Sequence, residues 1–299
     1  MRHKHVNSFW IFCSTIQGDC FNVATFNIQT FGQSKMKHPI VRAFLLKIAY
    51  LADVMAIQEL RDRQKKTIPL LLDYLNKSPR QFAGVTGPRE GRGSMKEQYV
   101  LLYDKRKFSH DASHVFPDAN QLYHRPPLAV RLTYSSGKKI TLISFHVDPD
   151  DADREIGNIP LVLDWSQKIM GAENIFLLGD FNADCTYYDE KKLFSVDKRL
   201  SWIVRNNMDT TVGSRSCTYD RIAVFNLLSF QVEDVYTFKF IDRKYFQSID
   251  AEDFSRFPEW KKSISAASFI YKTADKKHVL KPQKISDHFP VFSKVCEKP

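Results

Sequence analysis

The chain has 299 residues, of which 43% are apolar, and its formal net charge is +10 with a pI near 9.2. This length suits one large domain or two small ones, and no repeat or long Gly/Ser linker divides the sequence, so we predict one domain. No apolar run approaches the roughly 18 residues that cross a bilayer, which excludes a membrane-spanning helix and predicts no membrane partner. The positive charge favours polyanions such as nucleic acid, anionic membranes or heparin-like polymers, and does not choose among them.

The N-terminus and the cysteines both bear on the cellular compartment. Within residues 1–18, basic residues precede the short apolar stretch Phe9–Phe12, a pattern typical of a secretory leader; a plain N-terminal extension is the alternative. Removal of this segment would take away Cys13 and leave four cysteines, an even number compatible with two disulfides. We therefore predict a leader at 1–18, a single domain at 19–299, and secretion into an oxidising compartment.

Short apolar runs, each ending at a polar residue of catalytic type, recur along the chain. Runs of this kind predict strands buried in a layered α/β core, and apolar residues spaced three to four apart predict helices between them. The runs are Phe21–Phe26 before Asn27, Ala52–Ile57 before Gln58 and Glu59, Ile140–Phe145 before His146, and Asn174–Leu178 before Gly179 and Asp180. The helical patterns are Ile40–Tyr50, Ile68–Leu75 and Ile159–Met170. Because sites in α/β proteins gather at strand ends, this arrangement indicates an enzyme.

The segment from Asn226 to Lys284 has a different character. It mixes Phe and Tyr with many charged residues and has weak periodicity, so we predict an insertion at 226–284 between a strand starting at Arg221 and a last strand at Pro290–Val295. It could be a solvated surface insertion, or a basic aromatic arm that touches nucleic acid.

The polar residues at the strand ends supply what phosphodiester hydrolysis needs. Glu59, Asp180 and Asp287 are hard oxygen ligands that suit Mg²⁺ or Mn²⁺. His146 and His288 can act as acid and base, because imidazole titrates near neutral pH. Each histidine needs an acidic neighbour to set its tautomer, and the candidates are Glu97 and Asp220.

The ordered set of motifs resembles the deoxyribonuclease I family within the endonuclease/exonuclease/phosphatase superfamily. The resemblance extends over the chain from residue 20 onward. It is carried by Thr25-Phe26-Asn27-Ile28, Ile57-Gln58-Glu59-Leu60-Arg61-Asp62, Lys96-Glu97-Gln98-Tyr99, Arg125-Pro126-Pro127, Gly179-Asp180-Phe181-Asn182-Ala183-Asp184-Cys185, Cys217-Thr218-Tyr219-Asp220-Arg221 and Ser286-Asp287-His288-Phe289-Pro290-Val291. It implies a four-layer α/β sandwich, with two packed, mostly antiparallel or mixed sheets flanked by helices and the site at one edge.

The resemblance also implies a role for each site residue in a metal-dependent endonuclease that cuts DNA with low sequence specificity. His288, oriented by Asp220, would be the general base, and His146, oriented by Glu97, the general acid. Asn182 would donate to the transition-state phosphate. The metal ligands would be Glu59 and Asp180, with Asp287 and Asn27 close by; the DNA contacts would be Arg61 and Arg125; and the structural disulfide would be Cys185–Cys217. A second disulfide between Cys20 and Cys296 is a further hypothesis.

Three parts of the sequence depart from the family's pattern. Met95 stands where the family usually has a tyrosine that packs on a sugar, which puts groove packing in doubt. Of the candidate calcium ligands, Asp209 and Thr211 are kept, but Gly213 and Arg215 replace hydroxyl residues, so calcium binding would be weakened or lost. The strand equivalent to the actin-binding strand of some relatives, Phe82–Pro88, carries small residues, so we predict no tight actin binding.

Two other classes of function stay open. The protein could be another phosphodiesterase of the superfamily, of the sphingomyelinase or phosphatase type, since such enzymes share the metal carboxylates and the final Asp-His. It could also be a non-catalytic DNA-binding module that retains the fold. We predict DNA as the partner and a monomeric protein.

Overall fold

The computed structural model describes residues 19–171, 173–241, 261–265, 268–272 and 277–298, so the predicted leader at 1–18 lies outside the described residues. The helices are α1 (Gln33–Lys37), α2 (Pro39–Leu51), α3 (Thr67–Leu75), α4 (Ala152–Gly157), α5 (Ile159–Met170) and α6 (Glu190–Leu193), with 3-10 turns at Pro149–Asp151 and Pro282–Lys284. The first strands are β1 (Cys20–Phe31), β2 (Val54–Leu60), β3 (Phe82–Thr86), β4 (Gln98–Asp104), β5 (Phe108–Val115), β6 (Leu128–Tyr134), β7 (Lys139–His146) and β8 (Ile175–Asp180). The later strands are β9 (Ser201–Trp202), β10 (Asp220–Phe225), β11 (Phe230–Thr237), β12 (Lys261–Ser265), β13 (Ser268–Lys272), β14 (Lys277–Leu280) and β15 (Val291–Glu297).

Two six-stranded sheets dominate the described part of the chain. The first has the strand order β11-β15-β1-β2-β4-β3, and the second has the order β5-β6-β7-β8-β10-β9. Each sheet contains one parallel pair, β1 with β2 and β7 with β8, while its other pairs are antiparallel. The strands β12, β13 and β14 form a separate antiparallel sheet.

Three clusters of buried side chains separate four layers. The central cluster joins the two sheets, with Phe21 and Val54 from the first sheet against Phe176 and Ile222 from the second. The outer face of the first sheet packs on α2 and α3, and that of the second sheet packs on α4 and α5. Because each sheet is covered on both faces, its strands appear in the sequence as near-continuous apolar runs. The predicted four-layer α/β sandwich is confirmed.

The predicted helices also form, and their ends have local causes. Pro39 occupies the first turn of α2, where its missing N–H costs nothing, and the His38 ring accepts from the Val41 N–H at 3.5 Å. α5 ends at Gly171, whose backbone is left-handed with φ of 57°. In both helices the buried residues recur three to four positions apart and face their sheet.

The insertion predicted at 226–284 begins too early, because Phe230–Thr237 is a strand of the first sheet. This strand, β11, pairs along its length with β15. A register shift between Val232 and Asp234 breaks the alternation of buried and exposed side chains, which explains the weak periodicity of this segment. Residues 242–260, in the middle of the predicted insertion, lie outside the described residues.

No helix among the described residues has the length and hydropathy needed to cross a bilayer.

Candidate active site

Strand register brings the chemical residues of the second sheet to one edge of the sandwich. The parallel strands β7 and β8 end side by side, so that His146 pairs with Asp180. The antiparallel strand β10 begins at the same edge, where Asp220 pairs with Asp180 from the other side. All three side chains are buried.

Gly179, directly before Asp180, lets these strands approach closely. Its backbone φ is 153°, and a Cβ at this position would lie 1.9 Å from the carbonyl oxygen of Phe145. Real Cβ atoms essentially never come so close, so only glycine fits. The position of Asp180 beside β7 therefore depends on glycine at 179.

The first sheet contributes its residues through two irregular strands. β1 and β2 both shift register near Asn27 and Glu59, and the backbone of Glu59 is left-handed with φ of 61°. A non-glycine residue in this region costs roughly 1–2 kcal/mol, and strain of this kind concentrates at functional sites. The Glu59 carboxylate accepts from the Thr30 N–H at 2.8 Å and from the Asn27 amide at 3.2 Å.

Asp180 lies at the centre of the site. Its Oδ2 is 3.6 Å from Nε2 of His146 and 3.5 Å from Nε2 of His288. The Asn27 amide donates to the same oxygen at 2.9 Å, and the Asn182 N–H donates to Oδ1 at 3.0 Å. Burial alone would raise the pKa of Asp180, but the two imidazole rings and the hydrogen bonds from Asn27 and Asn182 together outweigh it and lower the pKa.

His288 is held by a short hydrogen bond on its other nitrogen. Nδ1 lies 2.7 Å from Oδ2 of the fully buried Asp220. Burial alone would lower the pKa of His288, but the carboxylates of Asp220 and Asp180 outweigh it and raise the pKa to about 10. The backbone is fixed as well, since the His288 N–H donates to the Ser286 hydroxyl, which donates to the carbonyl of Asn27.

His146 has a separate acidic partner. Its Nδ1 lies 3.3 Å from Oε1 of Glu97, and Arg125 contacts the same oxygen at 2.8 Å. Burial alone would raise the pKa of Glu97, but His146 and Arg125 outweigh it and lower the pKa to about 2. Glu97 is therefore a carboxylate at neutral pH. The structure brings together both predicted histidine–acid pairs.

The carboxylates of this edge could hold a divalent cation. Gln29 donates to Oδ2 of Asp287 at 2.7 Å, while the buried Oδ1 of Asp287 has no hydrogen-bond partner among the described residues. Glu59 and Asp180 add further carboxylate oxygens, joined through the Asn27 amide. Two acid–histidine groups, Glu59-Glu97-His146 and Asp180-Asp220-His288, each have donor atoms within 4.8 Å of one another. A donor set dominated by carboxylate oxygens fits a hard cation such as Mg²⁺ or Mn²⁺.

The two predicted DNA-binding arginines occupy different environments. Arg61 is 32% exposed, pairs with Glu59 at 3.0 Å, and lies 3.6 Å from the sulfur of Met95, which is 71% exposed. Arg125 is only 10% exposed, and its Nε donates to the carbonyl of His146 at 3.0 Å. The contacts of Arg125 are thus mainly internal, which sequence reasoning did not foresee.

Asn182 is fixed beside Asp180 and Val147, the residue after His146. One amide hydrogen donates to the carbonyl of Val147 at 2.9 Å, and the backbone is left-handed with φ of 48°. Among the residues that the structure describes, only this acceptor is seen for the amide group, and its second hydrogen could serve another one.

Sequence reasoning missed three residues that position the site. The Tyr99 hydroxyl accepts from the His146 N–H at 2.9 Å and donates to the carbonyl of Arg125 at 3.1 Å. Ser286 links His288 to Asn27, as described above. Lys35 donates to the carbonyls of Ile28 and Ile285, and burial lowers its pKa to about 8 despite the opposing charges of Asp287 and Glu59. Tyr99 and Ser286 belong to the motifs that contain Glu97 and His288. Their closeness in sequence to a predicted catalytic residue was the signal that could have indicated a positioning role.

Both predicted disulfides are present. Cys185–Cys217 joins the loop after β8 to the residues before β10, close to Asp180 and Asp220. Cys20–Cys296 joins the paired strands β1 and β15. Disulfides are typical of proteins in oxidising compartments.

Comparison with known proteins assigns the chain and its fold to one class. The model of the Endonuclease/Exonuclease/phosphatase family matches residues 24–288. The fold is similar to that of the endonuclease/exonuclease/phosphatase from Bacteroides vulgatus, with a TM-score of 0.60, 15% identity, and coverage of 94% of this chain and 100% of that one. It is also similar to the human Nocturnin catalytic domain with bound sulfate, with a TM-score of 0.58, 16% identity, and coverage of 93% and 94%.

Proteins with similar sequences identify a narrower group within this family. Deoxyribonuclease-1 of Bos taurus is 34% identical over 220 residues, which cover 69% of this chain and 78% of that protein. Deoxyribonuclease-1-like 2 of Mus musculus is 32% identical over 210 residues, which cover 68% and 75%. The chain therefore belongs to the endonuclease/exonuclease/phosphatase family and, within it, to the deoxyribonuclease I family.

Proposed function

We propose that the protein is a secreted, divalent-metal-dependent endonuclease that hydrolyses DNA phosphodiester bonds with low sequence specificity. The observation that carries the proposal is the arrangement around Asp180, whose Oδ2 faces Nε2 of both His146 and His288, while each ring has its own acid on Nδ1. Both imidazoles thus present one nitrogen to the same small space, as a reaction with one proton acceptor and one proton donor requires.

In this mechanism the two histidines divide the proton transfers. His288, oriented by Asp220, accepts the proton of the attacking water, and His146, oriented by Glu97, donates a proton to the leaving oxygen. The second amide hydrogen of Asn182 donates to the phosphate as negative charge develops on it; such donors contribute about 3–4 kcal/mol. Arg61 contacts the DNA backbone and minor groove, and such contacts carry little sequence information.

Glu59, Asp180, Asp287 and Asn27 would hold the cation. A bound Mg²⁺ or Mn²⁺ would supply charge stabilisation at the phosphate. Besides Asp220, the carboxylates that raise the pKa of His288 are Asp180 and Asp287, and these two are among the groups that a cation would neutralise. Cation binding would therefore lower this pKa toward the range in which imidazole accepts a proton.

The second candidate, another phosphodiesterase or phosphatase of the family, is favoured by one observation. The fold is also similar to that of the mannosyl-6-phosphatase Bt3783 of Bacteroides thetaiotaomicron, with a TM-score of 0.56 and 15% identity. The fold alone therefore does not identify the substrate. Against it stand the deoxyribonuclease relatives and Arg61 at the rim of the site.

The test is a substrate panel with purified protein. Supercoiled plasmid, sphingomyelin vesicles and inositol polyphosphates are incubated with Mg²⁺, Mn²⁺ or Ca²⁺, or with EDTA. We expect nicking of plasmid with Mg²⁺ or Mn²⁺, none with EDTA, and no turnover of the other substrates. Hydrolysis of either other substrate without nicking would select the second candidate. Plasmid binding without hydrolysis of any substrate would indicate a non-catalytic module.

A further inference from the structure

The loop from Asp209 to Arg215 is bonded directly to the His288–Asp220 pair. The Val212 N–H donates to the carbonyl of Asp287 at 2.7 Å, and the Phe289 N–H donates to the carbonyl of Thr210 at 2.8 Å, so the loop holds His288 from both sides. The Thr210 hydroxyl accepts from the Asp220 N–H at 3.1 Å. A shift of this loop would therefore move the catalytic histidine and its acid together.

Inside the loop, the carboxylate of Asp209 is engaged by protein groups on both oxygens. Oδ1 accepts from the Thr211 N–H at 3.1 Å and lies 3.1 Å from the Thr211 hydroxyl. Oδ2 accepts from the ammonium of Lys239 at 2.9 Å. The Thr211 hydroxyl also lies 2.8 Å from the carbonyl of Arg215. The carboxylate of Asp209 is thus already paired with one positive charge, that of Lys239.

These residues do not fit a calcium ion. Ca²⁺ takes six to eight oxygen ligands, whereas both carboxylate oxygens of Asp209 are bonded within the protein and Gly213 has no side chain to contribute. The ammonium of Lys239 stands at the carboxylate where a cation would bind, and Arg215 adds a second positive charge to the same loop. A cation that already occupies this carboxylate opposes the binding of a second one there.

Lys239 reaches the loop from the opposite sheet. Lys239 lies two residues after the end of β11. The residue between them, Phe238, donates its N–H to the carbonyl of Pro290 at 2.9 Å. Its ammonium also lies 5.7 Å from the centre of the Phe289 ring, within the range of a cation–π contact. Lys239 therefore connects the first sheet, the loop and the residue after His288.

We propose that the ammonium of Lys239 replaces a structural calcium ion in the Asp209–Arg215 loop, and that Lys239 is a positioning residue for His288 and Asp220. The stability of the site is then independent of calcium. The effect on stability stands by itself, whereas the effect on catalysis rests on the proposed nuclease function.

The first test measures thermal unfolding in millimolar Ca²⁺ and in EGTA, both in the presence of saturating Mg²⁺, so that the active-site carboxylates are occupied in either buffer and in the titration below. The wild-type protein is expected to give the same Tm in both buffers, and isothermal titration with CaCl₂ to show no binding at this loop. Lys239→Met lowers the Tm, whereas the matched control Lys192→Met, which removes the exposed ion pair with Asp153, leaves it unchanged. A wild-type Tm that rises in Ca²⁺ and falls in EGTA would overturn the proposal, and this result needs no variant to fold.

The second test separates positioning from DNA binding by steady-state kinetics. Lys239→Met should lower kcat for plasmid nicking roughly tenfold, as loss of residues that orient catalytic groups commonly does, with KM nearly unchanged. Lys239→Arg, which keeps the charge, should recover most of the activity. An increase in KM alone, or activity equal to that of Lys192→Met, would contradict the positioning role. If the wild-type protein nicks no DNA, the proposed function fails, while the thermal test still decides whether calcium is replaced.

Discussion

The carboxylate of Asp180 lies near Nε2 of both His146 and His288. The Nδ1 atom of each ring faces a separate acid, Glu97 for His146 and Asp220 for His288. The sequence predicted these pairs, because each residue stands in a motif and each histidine needs an acidic partner. It did not predict that Arg125 contacts Glu97 and the His146 carbonyl, since this contact joins three distant parts of the chain. Buried contacts of this kind depend on packing geometry, which the residue types alone do not specify.

Replacing Arg125 and replacing Arg61 should therefore change different kinetic constants. Arg125→Met removes the ion pair that holds Glu97, so we expect kcat for plasmid nicking to fall roughly tenfold with little change in KM. Arg61→Met removes an exposed cation at the rim, so we expect a higher KM and a weaker dependence on salt. Equal increases in KM for both variants would show that Arg125 acts mainly on DNA.

Among the secondary-structure elements, the buried strands, the polar residues at their ends and the pairing of the cysteines were predicted from the sequence. The edge strand β11 was not. The apolar runs predicted the buried strands because both faces of each sheet are covered. β11 has a bulge and exposed charged side chains, so its pattern was mistaken for that of an insertion. A bulge moves every later side chain of a strand to the other face, which hides the strand from a search for strict alternation.

The Cys185–Cys217 disulfide should stabilise the loops on both sides of the site. Its sequence separation is 32 residues, and closing a loop of this length contributes about 3–4 kcal/mol in the chain-entropy model. Replacing both cysteines by serine should lower the free energy of unfolding by about that amount in urea titrations, and should also lower kcat. Full activity of the double variant would show that the disulfide does not position Asp180 and Asp220.

An ion cluster at the opposite end of β2 and β4 should make the fold sensitive to acid. Burial alone would raise the pKa of Asp104, but Arg106 and Arg80 outweigh it and lower the pKa to about 2. Because the folded-state pKa lies below the unfolded one, this contribution to stability is present above about pH 4 and is lost as the pH falls toward 2.

Urea unfolding as a function of pH tests this assignment. We expect Asp104→Asn to destabilise the protein at pH 7 and to flatten the loss of stability between about pH 4 and 2. The exposed Asp73→Asn, which removes a surface pair with Lys77, serves as control and should change neither. An unchanged acid slope in Asp104→Asn would assign the acid sensitivity to other carboxylates.

The edge strand β3 bears on the expected absence of actin binding. It is the last strand of the first sheet, and Ala83 and Gly84 give it little side-chain surface with which to contact a partner. We expect monomeric actin at micromolar concentration to leave nicking unaffected. Inhibition at nanomolar actin would contradict this expectation.

At the scale of the whole molecule, both sheets bring their chemical residues to one edge of the sandwich. β7, β8 and β10 supply His146, Asp180 and Asp220, and irregular β1 and β2 supply Asn27 and Glu59. The order of motifs along the chain was enough to predict this convergence. The distances were not predictable, because they depend on the register of each pair and on the close approach at Gly179. The net charge of +10 is consistent with a polyanionic substrate but did not locate the site.

The most direct test of the account is the rate of plasmid nicking with Mg²⁺ for His146→Ala and His288→Ala, beside His114→Ala on the exposed face of β5. We predict a loss of at least about 100-fold for each of the first two variants, the lower range for a general acid or base, and wild-type activity for His114→Ala. Near-full activity in either His146→Ala or His288→Ala would contradict the assignment of the two histidines as the acid and base of the reaction.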